Sequence, residues 1–132
     1  MISDYLIPAI KKRFPNQPFD FNKSPELAFA IQSPCNEFGE LALSDDGDEV
    51  TLFLGNSTHT HIGCYEGNLS QVEQEQRISS EVIAFLEALF DDRVVVWHGI
   101  GGIGGCRRLE IGKSPPEPSL IKRQFPWSRE IK

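Results

Sequence analysis

His59 and His61, one residue apart, come closest to metal chemistry in this 132-residue chain. Residues at i and i+2 of a β-strand share a face, so both imidazoles can reach one ion. Cys64 has the opposite parity and needs a bulge to join them, and His98 joins only if its strand lies alongside. Zinc on His59, His61 and a third ligand stands beside a plainer reading, a polar strand that faces solvent or a partner. The HExxH spacing of a metalloprotease is absent.

Asp45, Asp46, Asp48 and Glu49 form a second candidate. An EF-hand loop places acidic groups at its first, third and fifth positions, Gly at the sixth and Glu at the twelfth, and this stretch fails that register. An acidic turn tip that docks Lys or Arg is the expectation. Gly99-Ile100-Gly101-Gly102-Ile103-Gly104 fits GxGxxG. A dinucleotide needs a helix after those glycines to hold its pyrophosphate. Residues 106–111 instead alternate with the period of a strand, so a hairpin loop is expected there, and no cofactor.

Cys35, Cys64 and Cys106 are odd in number and form no CxxC pair. Reduced thiols in a cytoplasmic protein are expected rather than a disulfide framework. A thiol and a histidine brought together in space would make a dyad, the basis of a rival reading. No GxSxG elbow occurs. Trp97 and Trp127 suit core or tail anchors, and Trp97 also suits a partner contact.

The formal net charge is −6, unevenly spread. Residues 37–92 hold 13 acidic residues and one basic, Arg77, whereas residues 106–132 hold seven basic and three acidic. An acidic middle excludes a phosphate-binding face there, which needs clustered Lys and Arg. It suits a cationic protein partner, with the carboxylates gathered on one exterior surface, or simply a solvated surface that keeps the chain soluble. Hydrophobic residues make up 39% and charged residues 24%, ordinary usage for one globular domain over 1–132. The start lacks the basic n-region and apolar run of a signal peptide. No apolar stretch nears the roughly 20 residues that cross a bilayer, so neither membrane nor nucleic acid is expected as a partner.

Short elements must position these groups. Residues 3–14 read as a helix through Tyr5, Leu6, Ala9 and Ile10, unless Pro8 marks the first turn of one starting near Ile7. Phe19 and Phe21, in the loop that follows, suit core gaps. Residues 26–32 alternate as a strand, with a helix as the alternative, and residues 38–44 form a second strand. Asp46-Gly47 is a strong hairpin signal, followed by strands over 49–54 and 58–65. Ser70-Gln71-Val72-Glu73 is a capping box opening the main helix, whose stripe is Ile78, Val82, Phe85, Leu86 and Leu89, broadened by Ile83 and Phe90. Asp91-Asp92 ends it. Val94-Val95-Val96-Trp97 reads as a strand covered on both faces. A Pro-rich tail over 113–132 carries two aromatics that can dock on the body. The fold class is α+β: an antiparallel sheet of five or six strands, the long helix on one face, and a short N-terminal helix nearby.

The run from Asp45 to Asn56, then Thr58-His59-Thr60-His61, then Phe85-Leu86 through Leu89-Phe90-Asp91-Asp92-Arg93-Val94-Val95-Val96-Trp97, resembles a family of small uncharacterised bacterial proteins over about half the chain. That family carries no assigned activity, so the resemblance implies no catalytic residue. In size, acidity and architecture the chain is also similar to immunity proteins of bacterial toxin systems. The expected function is a non-enzymatic protein-binding module that recognises a basic partner. Its candidate contacts are Asp45, Asp46, Asp48, Glu49, His59, His61 and Trp97. The alternative is a small metal-dependent or thiol enzyme using His59, His61, His98 and a cysteine. A homo-oligomer joined through an exposed strand edge is the third reading.

Overall fold

The computed structural model describes residues 1–35, 38–55, 58–99, 104–108, 122–125 and 127. The architecture is α+β, with two helices and antiparallel strands among the described residues. The first helix, α1, is Ile2–Arg13. It starts early, so Pro8 sits inside it and one backbone hydrogen bond is missing. Packing compensates: Ile2, Leu6 and Ile10, four residues apart, are all fully buried. Phe19 and Phe21 in the next loop pack half-buried against the same core.

Strand β1 is Phe29–Gln32, shorter than the alternation suggested. Ser24-Pro25-Glu26-Leu27 closes a turn instead, with the Leu27 N–H donating to the Ser24 carbonyl at 3.2 Å. Pro25 presets the φ that such a turn needs. Strands β2 (Glu40–Asp45), β3 (Glu49–Leu54) and β4 (Thr58–Gly63) complete a four-stranded antiparallel meander in the order β1-β2-β3-β4. Its inner face carries Phe29, Ile31, Leu41, Leu43, Val50, Leu52 and Leu54, all buried.

The Asp46-Gly47 signal holds. Gly47 lies at φ +96 in the β2–β3 turn, where the Asp46 N–H donates to the Glu49 carbonyl at 2.9 Å. A Cβ there meets nothing within 4 Å, so only its conformation demands glycine. Gly55, at φ +63, differs: a Cβ would stand 1.8 Å from the Phe38 carbonyl oxygen. Gly55→Ala is therefore expected to cost about 2–3 kcal/mol, from overpacking added to the φ penalty. Gly47→Ala should cost about 1 kcal/mol. Chemical denaturation of the two variants checks the ranking, and equal losses would refute it.

Helix α2 spans Gln71–Phe90 and opens on the capping box read from the sequence. The Ser70 hydroxyl accepts from the Glu73 N–H, and Glu73 reaches back to the Ser70 N–H. Ser70→Ala should cost about 1 kcal/mol in unfolding free energy, and an unchanged thermal midpoint would count against the cap. The helix buries Ile78, Val82, Phe85, Leu86, Ala88 and Leu89, with Ile83 and Phe90 half-buried at the core's rim. It packs on α1 and the sheet strands. Its end is a Schellman motif: the Arg93 N–H reaches the Ala88 carbonyl and the Asp92 N–H reaches that of Leu89. Asp92 takes the left-handed position at φ 57, where glycine is the usual choice.

The remaining strands, β5 (Val94–Gly99), β6 (Gly104–Arg108) and β7 (Lys122–Phe125), form a second antiparallel ladder in the order β6-β5-β7. Val94, Val95 and Val96 are buried in succession, as a strand covered on both faces requires. The strands read as one sheet are thus two ladders, which meet where β4 runs beside β6. Trp127 joins the core at 4% exposure, packed edge-on against Phe38 and Phe90. The Ser33 hydroxyl donates to its carbonyl. No helix among the described residues is long and apolar enough to cross a membrane.

Candidate functional site

The outward face of β2–β4 is set by register. Thr51 stands opposite His61, and Phe53 opposite His59. Glu49, Thr51 and Phe53 share one side of β3, and His59 and His61 share the matching side of β4. The two imidazoles lie 5.2 Å apart between ring centroids, nearly perpendicular, as the i, i+2 spacing implied. Phe53 flanks His59 with ring centroids 6.3 Å apart. Helices cover the opposite face of the sheet. Phe53 remains 41% exposed and Tyr65 85%, so this face keeps uncovered aromatic surface.

Thr51 is the hub of the site. Its side chain is 7% exposed, and its hydroxyl donates to Asp46 Oδ2 at 2.7 Å. That spends its only proton, so His61 Nδ1, 3.0 Å away, is the donor in its contact with Thr51 Oγ1. Glu49 Oε1 lies 3.6 Å from the same nitrogen. Ser44 donates to the other oxygen of Asp46 at 2.8 Å, and the Tyr65 phenol donates to Glu49 Oε2 at 3.1 Å. Glu49 accordingly pushes the Tyr65 hydroxyl above its usual pKa, through the hydrogen bond first and its charge second, with Asp48 adding to the effect. Tyr65 lies back over Gly63, where a Cβ would stand 2.8 Å from its phenolic oxygen. That return ends β4 at Gly63, two residues earlier than the alternation suggested.

Asp45 has a different task. One of its oxygens accepts from the Ser3 N–H at 2.9 Å, and the other from the Gly47 N–H at 3.0 Å. It therefore caps α1 from 42 residues away and holds the turn, which leaves Asp46, Asp48 and Glu49 to face outward. Trp97 belongs to the other ladder, in β5, and its side chain and that of His98 lie outside the described residues.

The acidic middle of the chain does not gather as a whole. Glu40 pairs with Lys23, Glu66 with Arg77, Glu87 with Arg13 and Asp91 with Arg93. Glu75 is 7% exposed and meets the Met1 amino group at 3.1 Å. Glu73 is spent in the α2 cap. These contacts are local neutralisation, and among the described residues of this stretch the exposed carboxylates without such a cation are Asp46 and Asp48 at the β2–β3 turn, with Glu49 beside them, and Glu81 on α2.

Of the three thiols, Cys64 lines the same surface pocket as His61. Cys35 is buried, and burial pushes the Cys106 thiol up, away from the thiolate a nucleophile needs. Cys64 follows β4 with the opposite parity to the histidines and packs half-buried on the core. After the glycine-rich segment the chain continues as strand β6, antiparallel to β5, where a dinucleotide would require a helix N-terminus. Residues 100–103 lie outside the described residues. Thr51, Phe53 and Tyr65 escaped the sequence reading. The Asp46-Gly47 turn and the β3–β4 pairing, extended residue by residue, would have placed Thr51 between Asp46 and His61. The chain matches no protein-family model, no curated protein and no solved structure, so its chemistry is read from its own residues.

Proposed function

We propose that the chain is a non-enzymatic protein-binding module, of the immunity-protein kind, that recognises a basic protein through the outward face of β2–β4. One observation carries the reading. Asp46, Asp48 and Glu49 project beside the exposed rings of Phe53, His59, His61 and Tyr65 on a sheet face that no helix among the described residues covers. Carboxylates steer a cationic partner into encounter and reject acidic ones. Uncovered aromatic faces supply contact area, and a guanidinium stacks on them favourably. Lys and Arg side chains find both kinds of group within one patch. The bonds from Thr51, Ser44 and Tyr65 hold the carboxylates in place beforehand, which lowers the ordering cost of binding. Capture from the native host's lysate, in chelator, at low and at moderate salt is the test. A specific basic protein retained more strongly at low salt is the expected result. Recovery of no specific protein at either salt counts against the proposal.

A further inference from the structure

We propose that Asp46, Glu49 and His61 also form a binding site for one first-row divalent cation of the zinc class. The three residues each offer a ligand atom, and those atoms lie within 4.8 Å of one another. A tetrahedral ion with bonds of about 2.1 Å sets its donors roughly 3.4 Å apart. His61 Nδ1 and Glu49 Oε1 already stand at 3.6 Å; binding would move the imidazole proton to Nε2, give up the Thr51–His61 hydrogen bond and draw Asp46 inward. The imidazole separates this arrangement from an ordinary acidic turn. Nitrogen and carboxylate donors together suit zinc and its neighbours, whereas magnesium and calcium favour oxygen alone.

The surroundings resemble a metal site's outer shell. Thr51 and Ser44 orient Asp46, and the Tyr65 phenol orients Glu49. Two rigid β-strands and a tight turn carry all three ligands, so the donors converge without a long loop to order. The set differs from the one the sequence suggested. His59 lies on the same face but outside the three-donor group, and Cys64 has the opposite parity. One position free of protein would remain on a tetrahedral ion, for water. Proton and metal compete for the imidazole lone pair, so affinity falls as the solution is acidified.

This inference does not rest on the binding of a basic protein, and its test contains no partner. Chelator-stripped protein is titrated with Zn²⁺ by calorimetry at neutral pH, with circular dichroism confirming that each variant is folded. The expected result is saturable uptake of one ion per chain. Affinity should fall about tenfold or more in Asp46→Asn and in Glu49→Gln, and about a hundredfold in His61→Ala. Thr51→Val, which keeps every ligand, should cost about tenfold through loss of orientation. His59→Ala and Cys64→Ser should leave affinity unchanged. Absence of saturable uptake, uptake that survives His61→Ala, or equal loss in His59→Ala or Cys64→Ser overturns the site.

Discussion

Trp127→Ala is expected to lower the unfolding free energy by about 3–5 kcal/mol, the range for deleting a large aromatic from a packed interior. The indole is 4% exposed and sits between the rings of Phe38 and Phe90, with centroids 5.1 and 5.4 Å away. Two terms add in the variant: the apolar area returned to water, and a cavity lined by rings fixed on β2's approach and on α2. The carbonyl that accepts from Ser33 belongs to the same residue, so that hydrogen bond loses the packing that fixes its acceptor. For a chain of this size the thermal midpoint should drop by about 10–20 °C. Trp127→Phe should retain most of the stability. A loss below about 1 kcal/mol in the alanine variant would show that the tail does not complete the core.

The second large effect concerns the proposed partner. Asp46→Asn/Asp48→Asn/Glu49→Gln is expected to weaken its binding at least a hundredfold, about 3 kcal/mol. The substitutions keep size and hydrogen-bonding shape, so Thr51 and Tyr65 still find acceptors while the charge disappears. Asp45 is left intact because it caps α1 and holds the turn, and its loss would disturb the fold itself. Electrostatic steering acts over about 8 Å at physiological salt, so much of the loss should appear in the association rate. Raising the salt should weaken the wild type and barely touch the triple variant.

Local signals were the legible ones. The Asp46-Gly47 turn, the Ser70–Glu73 capping box and the Val94–Val96 run each involve neighbours in sequence, and each took the expected form. The late start of the first predicted strand is also local in cause: the turn at Pro25 outweighed the alternation that had included Leu27. Pro8 inside α1 is not local. Its cost is tolerable only because Ile2, Leu6 and Ile10 pack into the tertiary core. The division of the strands into two ladders depends on pairings such as β5 with β7, which no short window contains. The same holds at the site. That Asp45 serves α1 and Asp46 serves Thr51 follows from contacts across strands and between distant elements, although the two residues are adjacent and chemically identical. Counting charge over residues 37–92 could not reveal that most of those carboxylates have a partner at hand.

The most direct test is a comparison of captured proteins at two salt concentrations, in chelator, using three baits. These are the wild type, Asp46→Asn/Asp48→Asn/Glu49→Gln, and the control Glu87→Gln/Asp91→Asn, which removes two charges where α2 meets Arg13 and Arg93. A basic protein retained by the wild type and the control, lost from the triple variant, and released as salt rises is the expected outcome. Equal retention by all three baits would contradict recognition through the β2–β4 face.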